Sequence, residues 1–490
     1  MELNILVSKH FLILYPPILH ILTHLQRFTF VFLTLAFFGC EPDYDGGSLP
    51  LVRIQTESDI RPEPKVGAEM EIEHDGKTIL KHRIGIEFRG STSYRLSDKK
   101  SYGFSTWNSY DAERDITILG LPPESDWILM GHVFRPTSPE TFDVFDPSLM
   151  HHYLGYELAR ATGRYASRCR WVELEIDGEY QGVYILMEKL KADNFRIDIN
   201  DPGNRGEALT GGYILKIDKA TGSEVPGGQP LEYYDNNWHD DATYTEWNSF
   251  RSNYDINGQT LDFEPYRPAY HPDQYLETYY MYEKPGRGDM SADQRNYIEG
   301  YIHDFETAIL NDNFIAGEHR YHDFIDLESF ADFFLVNELA ANVDAYRLST
   351  FLFKPRGQKL QAGPVWDLNI GYGRAWRTPS TEWIVNYNQY VSSDPWMVQF
   401  WWPKLLDDPA FRAIVKDKWT AYRAGIWSDA AIMSLVNENA DRLRSTGAYE
   451  RNYERWRATN AKVDYEGAIS YLKQYLENRL AFMDSEIGSW

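Results

Sequence analysis

Gly363-Pro364-Val365-Trp366-Asp367-Leu368-Asn369-Ile370-Gly371-Tyr372-Gly373 sets an aspartate at the end of an apolar strand and follows it with a glycine-rich turn. Glycines let the backbone turn sharply, and a carboxylate in that place is a hard oxygen ligand suited to Mg²⁺. A second acidic cluster, Asn342-Val343-Asp344, lies upstream by about two strands' worth of residues. An aspartate there is placed to orient or deprotonate a hydroxyl. Hydroxyl-directed aspartate first and metal-binding aspartate second is the order used in phosphoryl transfer. The same two residues also read as ordinary loop-capping carboxylates.

Other short segments recur around this pair. They are Phe88-Arg89-Gly90-Ser91-Thr92-Ser93, Lys99-Lys100-Ser101-Tyr102, and Leu119-Gly120-Leu121-Pro122 with Asp126-Trp127-Ile128-Leu129. Next come Gly178-Glu179-Tyr180-Gln181-Gly182-Val183-Tyr184, Glu188, Gly211-Gly212-Tyr213 and Pro364-Val365-Trp366-Asp367. In this order they resemble the CotH family, the spore-coat protein H kinases, which are atypical protein kinases. The resemblance runs from about residue 80 to the C-terminus.

The resemblance implies an α+β, two-lobed atypical protein-kinase-like fold, with a β-rich N-lobe and a mainly helical C-lobe. It implies ATP as co-substrate, Mg²⁺ or Mn²⁺ as cofactor, and a protein partner with Ser or Thr acceptors. Arg89, Gly90, Ser91 and Ser93 would then form the loop over the phosphates; on their own they read equally as a β-turn. Lys100 shares strand parity with Tyr102 and Phe104 while Lys99 points opposite, so Lys100 is expected on the inner face, against the α/β-phosphates. Glu157 falls on the apolar stripe of Met150, Leu154 and Ala161, where a carboxylate wants a cation, and Lys100 is its expected partner. Glu188 sits where the chain would cross between lobes beside adenine, its side chain otherwise pairing with Lys189 or Lys191. Asp344 would act on the acceptor hydroxyl and Asp367 on the metal. Ser349 stands where kinases commonly place a second-metal asparagine, Asn369 where many relatives have a second aspartate, and His151 where relatives often carry arginine. Both Ser349 and Asn369 ligate through neutral oxygen, which keeps a degenerate pseudokinase in view.

The chain has 490 residues, 43% of them hydrophobic and 15% aromatic, enough for a large core and incompatible with global disorder. Its net charge of −24 repels phosphate backbones and anionic lipid, so nucleic acid is excluded as a partner. The 15 Trp and 34 Tyr also suggest a surface glycan-binding or glycan-cleaving protein. Trp376, Trp383, Trp396, Trp401 and Trp402 would line its groove.

Residues 1–39 read as a lipoprotein-type signal: Arg27, an apolar run from Phe28 to Phe38, then Gly39 and the acylatable Cys40. That run is too short for a membrane span of about 20 residues. A bacterial cell-envelope location is expected, lipid-anchored at the outer membrane or cell surface, with 40–50 as tether and 51–490 as the kinase-like domain. Cys169 is expected in the core, without a disulfide partner.

Within that domain the N-lobe is expected over about 51–190, a surface insertion over about 220–270 and a helical C-lobe over about 290–490. Ile84, Ile86 and Phe88 alternate with polar residues as a half-buried strand. Asp146-Pro147-Ser148 opens a helix that Gly163 ends, and Asp177-Gly178 marks a hairpin. Thr350–Val365 reads as a hairpin, Asp408-Pro409 as a helix start. Phe411, Ile414, Val415, Trp419 and Tyr422 form one helical stripe, and Ile469, Leu472, Leu476, Leu480 and Met483 another.

Overall fold

Alternation along the first strands closes into a barrel. The computed structural model describes residues 47–138, 141–229, 241–286, 288–314, 320–373, 381–392, 394–456 and 463–490. Barrel strands are β1 (Leu51–Thr56), β2 (Val66–His74), β3 (Lys77–Arg89) and β4 (Ser101–Thr106), then β7 (Asp126–Gly131), β10 (Cys169–Ile176) and β11 (Glu179–Glu188). Between them, β5 (Ile116–Ile118) pairs with β6 (Leu121–Glu124), and β8 (Phe134–Ser138) with β9 (Thr141–Val144). Round the ring the order is β1-β10-β11-β7-β4-β3-β2. Closure is the parallel pairing of β1 with β10, Val52 against Leu174 and Ile54 against Ile176. It leaves no open edge. Val52, Met70, Ile72, Ile84, Ile86, Val172 and Leu174 are buried, each worth roughly 1.5–3 kcal/mol of hydrophobic stabilisation.

Helix α1 (Thr92–Leu96) joins β3 to β4, and α2 (His151–Ala161) precedes β10. The expected start of α2 at Pro147 is corrected. The Asp146 carboxylate accepts the Ser148 N–H at 3.0 Å and the His151 N–H at 2.7 Å, folding the intervening residues into a turn before the helix begins. Gly163, at φ +87°, ends it as expected. Cys169 is buried and burial pushes its thiol up, so it is a core residue rather than a nucleophile.

A second sheet has the order β13-β14-β12-β15-β16. Its strands are β12 (Tyr213–Ile217), β13 (Ser249–Arg251), β14 (Tyr279–Lys284), β15 (Thr350–Lys354) and β16 (Gln361–Ala362). The 220–270 segment therefore contributes β13 to a sheet, and the Thr350–Val365 stretch is the hairpin its pattern announced.

Helices dominate the rest: α3 (Ala292–Leu310), α4 (Leu327–Ala340), α5 (Tyr387–Tyr390), α6 (Trp401–Leu405), α7 (Pro409–Arg423), α8 (Asp429–Ser445), α9 (Ala448–Arg455) and α10 (Tyr465–Gly488). Asp408 caps α7 by accepting the Ala410 N–H at 2.8 Å, and Pro409 takes the first turn, where its missing N–H costs nothing. Phe411, Val415 and Trp419 of α7 are buried, as are Ile469, Leu472, Leu476, Leu480 and Met483 of α10. Helix α4 is buried all round from Ser329 to Ala340 rather than along one stripe. Its Glu338 meets Arg479 of α10 at 2.9 Å, both side chains fully enclosed. Ala341, at φ +44°, then turns the chain toward Asp344.

The C-terminal helices return to the barrel. Asn452 of α9 accepts the Val183 N–H of β11 at 3.0 Å, and Arg451 holds Glu173 of β10 at 2.6 Å. The whole is an α+β architecture. Trp383, Trp396, Trp401 and Trp402 are all buried, which corrects the expectation of an aromatic groove; Trp376 lies outside the described residues.

Candidate functional site

Strand register places the first of the site's acidic residues. In the β12–β15 ladder Ile217 faces Thr350, so the next residues outward, Asp218 and Ser349, emerge side by side. Ser349 Oγ donates to Asp218 Oδ2 at 3.4 Å. On the same turn Asp344 is held by Arg347, whose Nη2 donates to Asp344 Oδ1 at 2.8 Å. Arg347 is itself fixed by Asp394 at 3.2 Å and by the Trp396 carbonyl at 3.1 Å. Among the described residues nothing hydrogen-bonds to the other Asp344 oxygen.

Asp367 stands at φ +54° after β16, its side chain 38% exposed. Desolvation pushes its carboxyl up to about 7, and the charges of Asp344 and Asp218 add to the rise, while Arg89 and Lys219 oppose it. Burial likewise pushes Asp218 up. Asp367 thus feels the charges of two aspartates from two other segments. His152 Nε2 lies 3.9 Å from Asp367; burial lowers this imidazole to about 3, so it is neutral there and offers no counter-charge.

Arg89 ends β3 with its guanidinium 5.9 Å from the Trp366 ring centroid. Burial lowers its pKa, with the Asp367 charge opposing that shift. Among the described residues the guanidinium makes no hydrogen bond or ion pair, so its donors are unused beside Trp366, the neighbour of Asp367. Gly90 follows at φ +89°, where a Cβ would stand 2.3 Å from Ser93 Oγ; only glycine fits that turn. Ser91 Oγ lies 3.5 Å from Asp241, and Ser93 accepts the Ser97 N–H through its carbonyl at 3.0 Å.

Lys99 and Lys100 do point to opposite sides, but the inner one is Lys99. Its side chain is buried, with Nζ donating to the Val183 carbonyl at 2.5 Å and to Asn452 Oδ1 at 2.6 Å. Lys100 is half-buried and donates to the Tyr94 carbonyl at 2.6 Å, its Nζ 4.6 Å above the Tyr94 ring. It therefore bonds to α1, in the loop that Arg89 and Gly90 open. The expected Lys100–Glu157 pair does not form: Glu157 is bound by Arg160, one turn along its own helix. Glu188 is fully buried and taken up by Arg168 at 2.6 Å and Arg196 at 3.2 Å. Lys189 and Lys191, its other expected partners, face Asp126 instead.

His151 Nδ1 pairs with the Asn369 carbonyl at 2.9 Å. Among the described residues, Asn369 Oδ1 is buried without a hydrogen-bond partner. An orphaned hard oxygen two residues from Asp367 fits a divalent cation. Among the described residues no three His, Cys, Asp or Glu side chains converge on one point, so neutral oxygens, phosphate and water would complete such a shell. Asp218 is the residue that sequence reasoning missed. Its signal was the one used for Asp367, an aspartate ending an apolar strand, just beyond Gly211-Gly212-Tyr213.

The family described as CotH kinase protein matches residues 86–483. Its span holds every acidic and basic side chain placed in the site above. None of the curated proteins matches the chain.

Proposed function

This chain belongs to the CotH kinase family, and on that premise we propose that it transfers the γ-phosphoryl group of ATP to Ser or Thr hydroxyls of an exported or surface protein. The family implies nucleotide and divalent-metal use in general. Carrying the reading is the orphaned Asn369 Oδ1 two residues from Asp367, with the Arg89 guanidinium, whose donors are unused among the described residues, over the neighbouring Trp366 ring. In the transfer, the acceptor oxygen attacks the γ-phosphorus and the bond to the β–γ bridging oxygen breaks. ADP leaves, and the hydroxyl proton passes to the Asp344 oxygen that Arg347 does not occupy. Arg347 orients that carboxylate. Arg89 and the backbone of Gly90–Ser93 bind phosphate oxygens, and Lys100 braces the loop through Tyr94. Mg²⁺ or Mn²⁺, when bound, would neutralise phosphate charge, with Asp367, Asn369 and Ser349 as its holders.

We read the barrel, about 51–190, as the N-lobe and about 290–490 as the helical C-lobe, with Glu188 ending the last barrel strand and the backbone after it meeting adenine. Cys40 lies outside the described residues; we propose that it is acylated and anchors the protein at the bacterial outer membrane or cell surface. A second reading, a kinase-like module that binds without transferring, is favoured by the neutral side chains Ser349 and Asn369 at expected metal positions. Thermal melting with Mg²⁺-ATP, followed by intact-mass detection of autophosphorylation, separates the two. Stabilisation with phosphate gain supports the kinase, and stabilisation alone supports the module. With neither, both readings fall.

A further inference from the structure

The 219–243 stretch is closed at its base. Thr221 bridges Asp241, and the Thr243 N–H donates to the Ala220 carbonyl at 2.8 Å. This closure sets Lys219, the neighbour of Asp218, beside Asp241. The Asp241 side chain is fully enclosed, and an enclosed carboxylate requires cations or donors. It has Arg95 Nη1 at 3.4 Å, Tyr270 OH at 3.3 Å, Ser91 Oγ at 3.5 Å and Lys219 Nζ at 3.9 Å. Two of these partners, Ser91 and Arg95, belong to the loop that begins at Gly90. One carboxylate from the insertion thus holds both that loop and Lys219.

Lys219 is incompletely used by these contacts. Its ammonium lies 4.5 Å above the Trp396 ring and donates no hydrogen bond among the described residues. Trp396 is locked in turn, its Nε1 donating to Tyr244 OH at 2.9 Å while that hydroxyl donates to the Asp218 carbonyl at 2.7 Å. The lysine stem is therefore fixed at both ends of a short relay.

We propose that Lys219 contacts the nucleotide's terminal phosphates and that Asp241 positions it together with the loop Gly90–Leu96. The assignment rests on the nucleotide reading above and gives the 220–270 insertion its role. Calorimetric affinities of the full-length protein for ATP and AMP, both with Mg²⁺, test it. Lys219→Met should weaken ATP by about 10-fold or more, the scale of one charge-assisted hydrogen bond, and leave AMP unchanged. Lys219→Arg should retain ATP affinity within about two-fold, since charge is kept. Asp241→Asn should weaken ATP and speed amide exchange over Ser91–Leu96, and Asp241→Glu should restore both. Unchanged ATP affinity in Lys219→Met, with the wild type binding ATP, overturns this assignment alone. Equal loss of ATP and AMP overturns it too, since that marks a structural role. A wild type that binds neither nucleotide overturns the nucleotide reading and this assignment with it.

Discussion

Lys99 Nζ donates to Asn452 Oδ1 at 2.6 Å, joining two residues 353 positions apart. Among the described residues no carboxylate accompanies them. The Lys99 Nζ lies between the rings of Tyr184, at 4.7 Å, and Phe134, at 5.6 Å, and burial holds its pKa well below the ordinary lysine value.

That depressed value fixes the sign of a pH dependence. Between the folded pKa and the ordinary one near 10.5, the unfolded chain binds a proton that the folded chain does not. Stability therefore rises with pH across this window, by up to about 1.4 kcal/mol per unit from this group. Lys99→Met should lose this rise, so wild type should gain on the variant as pH goes from 7 to 9.5 in urea titrations. Parallel curves for the two would show that Lys99 is charged when folded.

Asp344 and Asp367 should fail in different ways. Asp367→Ala should abolish Mg²⁺-dependent stabilisation by ATP, because the phosphates lose the residue that holds their counter-ion. Asp344→Ala should keep that stabilisation while phosphoryl transfer falls by at least about 10²-fold. Melting without ligand must first match wild type. Loss of binding in Asp344→Ala with retention in Asp367→Ala would invert the two roles.

Gly90→Ala meets two obstacles, a left-handed backbone at φ +89° and Ser93 Oγ at 2.3 Å. The backbone part alone costs roughly 1–2 kcal/mol. Adding Ser93→Ala should relieve the clash and recover only part of the lost melting temperature. Full recovery would mean that the φ angle is not enforced.

Cys40 is expected to become the acylated N-terminus. Intact-mass analysis of the membrane fraction checks this, and a soluble product starting elsewhere ends the proposal. Replacing Cys40 with Ser should shift the protein into the soluble fraction.

How much of this was legible depended on distance along the chain. Asp408-Pro409 and the stripes of α7 and α10 follow local rules of capping and period, and they folded as read. Strand parity separated Lys99 from Lys100 correctly. It could not say which was buried, because Lys99 is covered by α9, contributed from the far end of the chain. Glu157 sat on an apolar stripe, yet Arg160 on the next turn claimed it before any strand lysine. Asp218 acquires its meaning only from the ladder that sets Ile217 against Thr350, a pairing with no local signature. The Pro147 start failed because Asp146 caps its turn through side-chain bonds that no periodicity reveals.

Barrel closure also bears on how the chain is made. Strand β1 finds β2 within a few residues, but its other edge waits for β10, which begins at Cys169. While the polypeptide emerges from its N-terminal end, that edge stays open across the whole synthesis of β3 to β9, since non-local pairing bears its loop entropy first. Premature folding of the barrel is thereby deferred until β10 is made. Once β10 arrives, that edge is sealed.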